Sequence, residues 1–180
     1  PPAALDRIVV AIDPPASGGP GADECGIVVA GAITSGAPGS WRVVVLEDAS
    51  VKAASPLDWA QAALDAAARH GAERVVAEVN QGGDMVEAVL RQVDPLVPYR
   101  AVRASRGKAA RAEPVAALYE QGRVAHLPGL AALEAQMCLM TAQGFAGSGS
   151  PDRVDALVWA LTDLVIAPAA KWRAPRLREL

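Results

Sequence analysis

Cysteine is nearly absent from this chain of 180 residues: Cys25 and Cys138 stand far apart, with no CxxC pair and no Cys/His cluster. That excludes a zinc module and a disulfide framework, and makes a reduced, cytosolic thiol pair the expectation. Long apolar runs are missing as well. The longest apolar runs, such as Gly26–Ile33, fall far short of the roughly 18 residues that a membrane span requires, as does the shorter run Val43–Leu46. Pro1-Pro2-Ala3 carries no initiator methionine and no signal- or transit-peptide pattern, so the chain reads as a piece of something longer. There is no excess of basic charge: a net charge of −3 and a pI of about 5.4 argue against a protein that holds nucleic acid by bulk charge. Lysines are few, and no Pro/Gly/Ser tract is long enough to separate two domains. What is abundant is apolar: 52% of residues are hydrophobic, enough to offset chain entropy in one domain spanning residues 1–180.

The apolar residues are organised in short runs. Arg7–Ile12 is β-branched and stops at Asp13-Pro14-Pro15, where proline ends a ladder, so a buried strand is expected to finish at Asp13. After a Gly/Pro-rich loop, Cys25–Ile33 and Trp41–Asp48 repeat the strand pattern with the turn Thr34–Ser40 between them, which suggests an antiparallel meander. Ser55-Pro56 opens a helix closed by His70-Gly71. Strand Arg74–Val79, helix Gly83–Val93 and strand Pro98–Arg103 then alternate, as parallel crossovers do. Helix Ala109–Gln121, a short strand Arg123–His126, helix Leu130–Thr141 and helix Asp152–Ile166 complete an α/β order of mixed strands and flanking helices, with Gly144–Pro151 a flexible loop before the last helix.

Three acids stand out by position. Asp13 and Glu78 close apolar strands, and Asp155 lies in the first turns of the last helix next to apolar Val158 and Trp159. Each alone could be an acid reaching solvent at a strand end. Together they read differently: Asp13 and Glu78 sit where open α/β sheets gather functional groups, at the carboxyl ends of strands, and a helix crossing that edge could deliver Asp155. Asp152 shares the helix face of Asp155, and serves equally well as a helix-start acid or as a ligand. Oxygen-only ligands without His or Cys select Mg²⁺ or Mn²⁺, and paired hard ions suit phosphoryl transfer. Asp23 and Glu24 read as solvated loop charges, with Asp23 a candidate for the outer metal shell. Asn80, Gln81 and Gly82-Gly83 suit either a phosphate contact or a tight turn. His70 suits a helix C-terminus, His126 receives no catalytic role, and Met137 and Met140 read as core spacers on one helix. Arg103, Arg106, Lys108 and Arg111 bracket Gly107 with no acid among them, and read as a solvated basic loop or as contacts to a phosphate backbone.

The segments VVAIDPP, DECGIVVAG, VVAEVNQGGDMV, RGKAARAEPVAALYEQGRVAHLPG and SPDRVDALVWAL together resemble the nuclease domain of the large terminase subunit of tailed phages, from about Arg7 to Ile166. The resemblance implies an RNase H-like mixed sheet and a metal-dependent endonuclease that cuts concatemeric double-stranded DNA during genome packaging. It assigns the acidic triad to Asp13, Glu78 and Asp155, with Asp152 auxiliary. The implied partners are double-stranded DNA and, in a full-length protein, the portal protein and small terminase subunit, in the host cytoplasm, procapsid-associated during packaging. Full-length terminases also carry an ATPase with G-x-x-x-x-G-K-[ST]; the chain lacks that motif and is expected to be the nuclease part alone. No recognition helix is apparent, so low sequence specificity is expected. The competing readings are another RNase H-superfamily nuclease of resolvase or transposase type, an actin-like phosphate loop at DPPASGGPG, and a non-catalytic module docking on the packaging motor or portal.

Overall fold

The computed structural model describes residues 4–14, 24–52, 55–79, 83–105, 107–141 and 143–173. Strand β1 (Arg7–Asp13) pairs antiparallel with β2 (Gly26–Ile33), and β2 pairs antiparallel with β3 (Arg42–Asp48). This is the expected meander, with a short 3₁₀ turn at Pro38–Ser40 before β3. Helix α1 (Pro56–His70) begins with a reciprocal capping box between Ser55 and Asp58 and ends on Gly71 in the left-handed conformation. Strand β4 (Arg74–Glu78) then lies parallel to β1, and after α2 (Gly83–Val93) strand β5 (Tyr99–Val102) lies parallel to β4. Helix α3 (Lys108–Glu120) leads to β6 (Val124–His126), which joins the far edge parallel to β3. The sheet order is therefore β5-β4-β1-β2-β3-β6.

Two later segments differ from expectation. The helix expected over Leu130–Thr141 stops early: α4 covers Ala131–Met137, and β7 (Met140–Thr141) and β8 (Gly144–Phe145) form a small hairpin. The cause is local. Gly144 takes φ +119, and the Thr141 hydroxyl donates to the Gly144 carbonyl at 2.8 Å, closing a turn that periodicity does not reveal. Met140 consequently packs on the core from a strand, not from a helix shared with Met137. The last helix runs beyond Ile166: α5 (Asp152–Leu161) passes through a π turn (Thr162–Ile166) into α6 (Ala167–Lys171), where proline is tolerated in the first turn.

Strand alternation divides the core in two. Val10, Ile12, Ile27, Val29, Val75 and Ala77 face α1 and α2 around Trp59, whereas Val9, Ala11, Val28, Ala30 and Val76 face α3, α4 and α5. Asp13 and Glu78 continue the second series by parity, which places both on the side of the sheet that α5 covers. No helix among the described residues is long and apolar enough to cross a membrane.

Candidate active site

The parallel register pairs Ile12 with Ala77, so the next step along both strands brings Asp13 beside Glu78. Asp13 is also paired with Gly26 of β2. A Cβ at Gly26 would lie 2.0 Å from the Asp152 carbonyl oxygen, so the glycine is what lets the first turn of α5 press against the sheet there. That close approach carries Asp152 and Asp155 to the ends of β1 and β4, and both acids are buried.

The electrostatics record the convergence. Burial, then the charges of Asp155 and Glu78, with Asp152 adding to them, push the Asp13 carboxyl well above its ordinary value, against the lowering effect of Lys108. Asp155 is raised by burial and by Glu78, although the hydrogen bond and charge of Lys108 and the charge of Arg111 oppose this. Two cations enter the cluster. The Lys108 ammonium is paired with Asp155 and donates to the Ser150 hydroxyl at 2.9 Å. Arg111 lies 3.4 Å from Glu78 and 3.6 Å from Asp155, with its guanidinium 4.9 Å from the centre of the Trp159 ring. Trp159 in turn donates its indole N–H to Glu78 at 2.7 Å. Among the described residues no group of three or more His, Cys, Asp or Glu side chains is gathered in metal-holding geometry. Lysine and arginine nitrogens stand between these carboxylates instead.

The basic loop divides. Arg103 is exposed, Lys108 is 49% exposed at its side chain, and Arg111 is only 12% exposed. Arg111 thus turns inward onto the acids, and Lys108 reaches Asp155 from a half-exposed position, whereas the sequence pattern implies one outward-facing basic surface. Lys108 and Arg111 lie one turn apart on the face of α3 directed at α5, and Arg111, a turn deeper into the helix, is the more buried of the two. Arg106, Asp23, Asn80, Gln81 and Gly82 lie outside the described residues.

Other expectations shift. Glu24 is not a solvated loop charge: Arg153 binds it through Nε at 2.7 Å and through Nη2, while Nη1 holds Asp48. This clamp ties the first turn of α5 to the start of β2 and the end of β3. Asp152 is an acid of the first turn of α5, and Gln136 of α4 accepts from the Val154 N–H at 3.0 Å. His70 contacts Glu47 at 2.7 Å. His126 lies between the Tyr119 hydroxyl at 2.7 Å and Glu134 at 2.9 Å, beside a surface cavity of about 300 Å³ away from the acids. The roles of Trp159, Arg153 and Gln136 were not visible in the sequence, because each acts through a contact made by distant elements. Only the i, i+4 step from Asp155 to Trp159 hinted at one of them.

The profile of the terminase RNase H-like domain family matches residues 10–164. No curated protein matches by sequence. Among solved structures, the large terminase nuclease from thermophilic phage G20c is similar with a TM-score of 0.61 and 17% identity, over 88% of this chain and 82% of that one. The same nuclease with bound magnesium gives 0.58 and 18%, over 88% and 83%. A mutant nuclease domain of the large terminase subunit of bacterial virus Sf6, with manganese and β-thujaplicinol, gives 0.60 and 18%, over 88% and 89%. The mixed sheet flanked by helices is thus RNase H-like.

Proposed function

The chain belongs to the terminase RNase H-like domain family, and from this membership and the site's geometry we propose that it is a divalent-metal-dependent endonuclease acting in DNA packaging. The observation that supports the reading is that the β1–β4 register sets Asp13 beside Glu78 and the close approach at Gly26 brings Asp152 and Asp155 of α5 to them, with the Asp13 and Asp155 carboxyls raised from their ordinary values. A pocket of mutually repelling carboxylates calls for cations. The Lys108 ammonium on Asp155 is a protein-borne cation answering that demand. The donor set, all oxygen, fits Mg²⁺ or Mn²⁺, and similar nucleases solved with magnesium, manganese, cobalt or zinc support a divalent ion in general.

Asp13, Glu78 and Asp155 would hold the ions, with Asp152 beside them. Bound there, such ions would supply Lewis acidity that makes a water easy to deprotonate for attack on a phosphodiester at neutral pH, and would stabilise the leaving oxygen. The chain's own residues do the rest. Trp159 and Arg111 fix the orientation of Glu78. Lys108, half in solvent, is placed to meet a phosphate once its carboxylate is taken, and exposed Arg103 adds a second positive charge to the same loop. The substrate of this reading is double-stranded DNA, cut with low sequence specificity. In a full-length terminase the portal protein and small subunit would be the partners, and the host cytoplasm the place of action.

The test is nicking of supercoiled plasmid with Mg²⁺ or Mn²⁺. Asp13→Asn, Glu78→Gln and Asp155→Asn are each expected to reduce cutting to the level of a protein-free control while circular dichroism stays unchanged. Full activity in any one variant removes that residue from the site, and cutting that persists in EDTA refutes the metal-dependent mechanism.

A further inference from the structure

Asp163 lies on the π turn, at i+8 from Asp155 and i+4 from Trp159. Its side chain is 1% exposed, and three arginines from three strands close on it. Arg74, the first residue of β4, donates from Nε at 3.0 Å and Nη2 at 2.9 Å to Oδ2. Arg100 of β5 donates to Oδ1 at 2.7 Å. Arg7, the first residue of β1, has Nη2 3.6 Å from Oδ2 and donates from Nη1 to the carbonyls of Asp163 and Leu164 at 3.5 and 3.3 Å. Glu73 at the rim holds Arg7 and Arg74 from outside.

Each of these elements reaches the candidate site at its other end. β1 runs from Arg7 to Asp13, β4 from Arg74 to Glu78, and the helix that carries Asp163 carries Asp155 and Asp152 two or more turns earlier. We propose that Asp163 is a positioning residue for the nuclease reaction: it fixes how far α5 slides along β1 and β4, and so sets the spacing of Asp13, Glu78 and Asp155. The proposal rests on the nuclease reading of that site.

The physical grounds are these. Apolar contact between a helix and a sheet is non-directional and tolerates sliding. Arg–carboxylate hydrogen bonds are directional, and Arg74 on Oδ2 together with Arg100 on Oδ1 fixes both the position and the angle of the Asp163 carboxylate. A metal-holding carboxylate set must keep its geometry to within about 0.5 Å. Setting register is also the best-attested use of a buried ionic group, and π turns within α-helices recur at functional sites.

Asp163→Asn removes the charge and keeps the shape; Arg100→Gln removes one arm from a partly exposed position and serves if the first variant does not fold. Mn²⁺ binding is read by calorimetry and plasmid cutting as a function of Mn²⁺, both at temperatures where circular dichroism shows a folded chain. Asp163→Asn is expected to weaken Mn²⁺ binding roughly tenfold and to slow cutting at saturating Mn²⁺; Arg100→Gln shifts both in the same direction by less. A lowered melting temperature with unchanged Mn²⁺ affinity and unchanged cutting makes Asp163 a stability element only and overturns the proposal. If the unaltered protein neither binds Mn²⁺ nor cuts, the nuclease reading itself fails, and the positioning role fails with it.

Discussion

The indole nitrogen of Trp159 donates a 2.7 Å hydrogen bond to Oε2 of Glu78, joining the core side chain one turn beyond Asp155 to the carboxylate that ends β4. Trp159→Phe keeps most of the ring and loses the donor. Partners of metal-holding carboxylates typically contribute 10–100-fold to affinity or activity, so a loss of roughly that size in plasmid cutting is expected. Unfolding in urea should show a cost of about 1–3 kcal/mol, the penalty for a buried acceptor that loses a donor. Wild-type cutting by this variant would show that Glu78 is held in place by other contacts.

Gly26→Ala is a more severe change than its size suggests. The added methyl would lie 2.0 Å from the Asp152 carbonyl oxygen and 2.4 Å from its carbon, both backbone atoms that cannot rotate away. The start of α5 must shift, at a cost of about 1–3 kcal/mol. The expected result is a lower denaturation midpoint together with a loss of cutting that exceeds what the unfolded fraction explains.

The two thiols should separate cleanly. Cys25 is buried, and desolvation with the neighbouring charges of Asp13, Asp152 and Glu24 pushes its thiol far up, out of reach of alkylating reagents. Cys138 is exposed. Mass spectrometry after brief iodoacetamide treatment should find one modified cysteine in the native chain, at Cys138, and both in urea. Native labelling of Cys25 would contradict its placement in the core.

Acid should weaken the tie between β3 and α1. Burial alone would raise Glu47, but the hydrogen bonds and charges of Arg69 and His70 outweigh it and hold the carboxyl below its ordinary 4.5. The folded chain therefore binds this proton less readily than the unfolded chain. The stability contributed is present above 4.5 and is lost as pH falls through the lowered value. Glu47→Gln should cost under about 1 kcal/mol at neutral pH, since Arg69 is half exposed. Urea midpoints of the two proteins should converge in acid; a gap that persists there would show that the pair does not set the difference.

The sequence was most informative where one local signal decided the outcome. Ser55-Pro56 and Gly71 bracket α1, and the β-branched runs ending at Asp13 and Glu78 form adjacent parallel strands. Their parity also set which acids share a face. Less legible were features made by tertiary contact or by one glycine's conformation. The hairpin that truncates α4 depends on Gly144 at φ +119, and the inward turn of Arg111 depends on α3 lying against α5. Asp163 gave no signal, because a charged residue in an apolar helix becomes interpretable only once Arg7, Arg74 and Arg100 are seen around it.

The order in which the chain supplies the acids has a further consequence. Asp13 and Glu78 belong to strands formed early in the sequence, whereas Asp152 and Asp155 come from a helix near its end, docked on β1 and β2. A nascent chain emerging from the ribosome carries only the two carboxylates that the β1–β4 register sets side by side until that helix has been made. On the proposed reading, a product truncated before that helix lacks Asp152 and Asp155, half of the acids of the site, and is expected not to cut DNA.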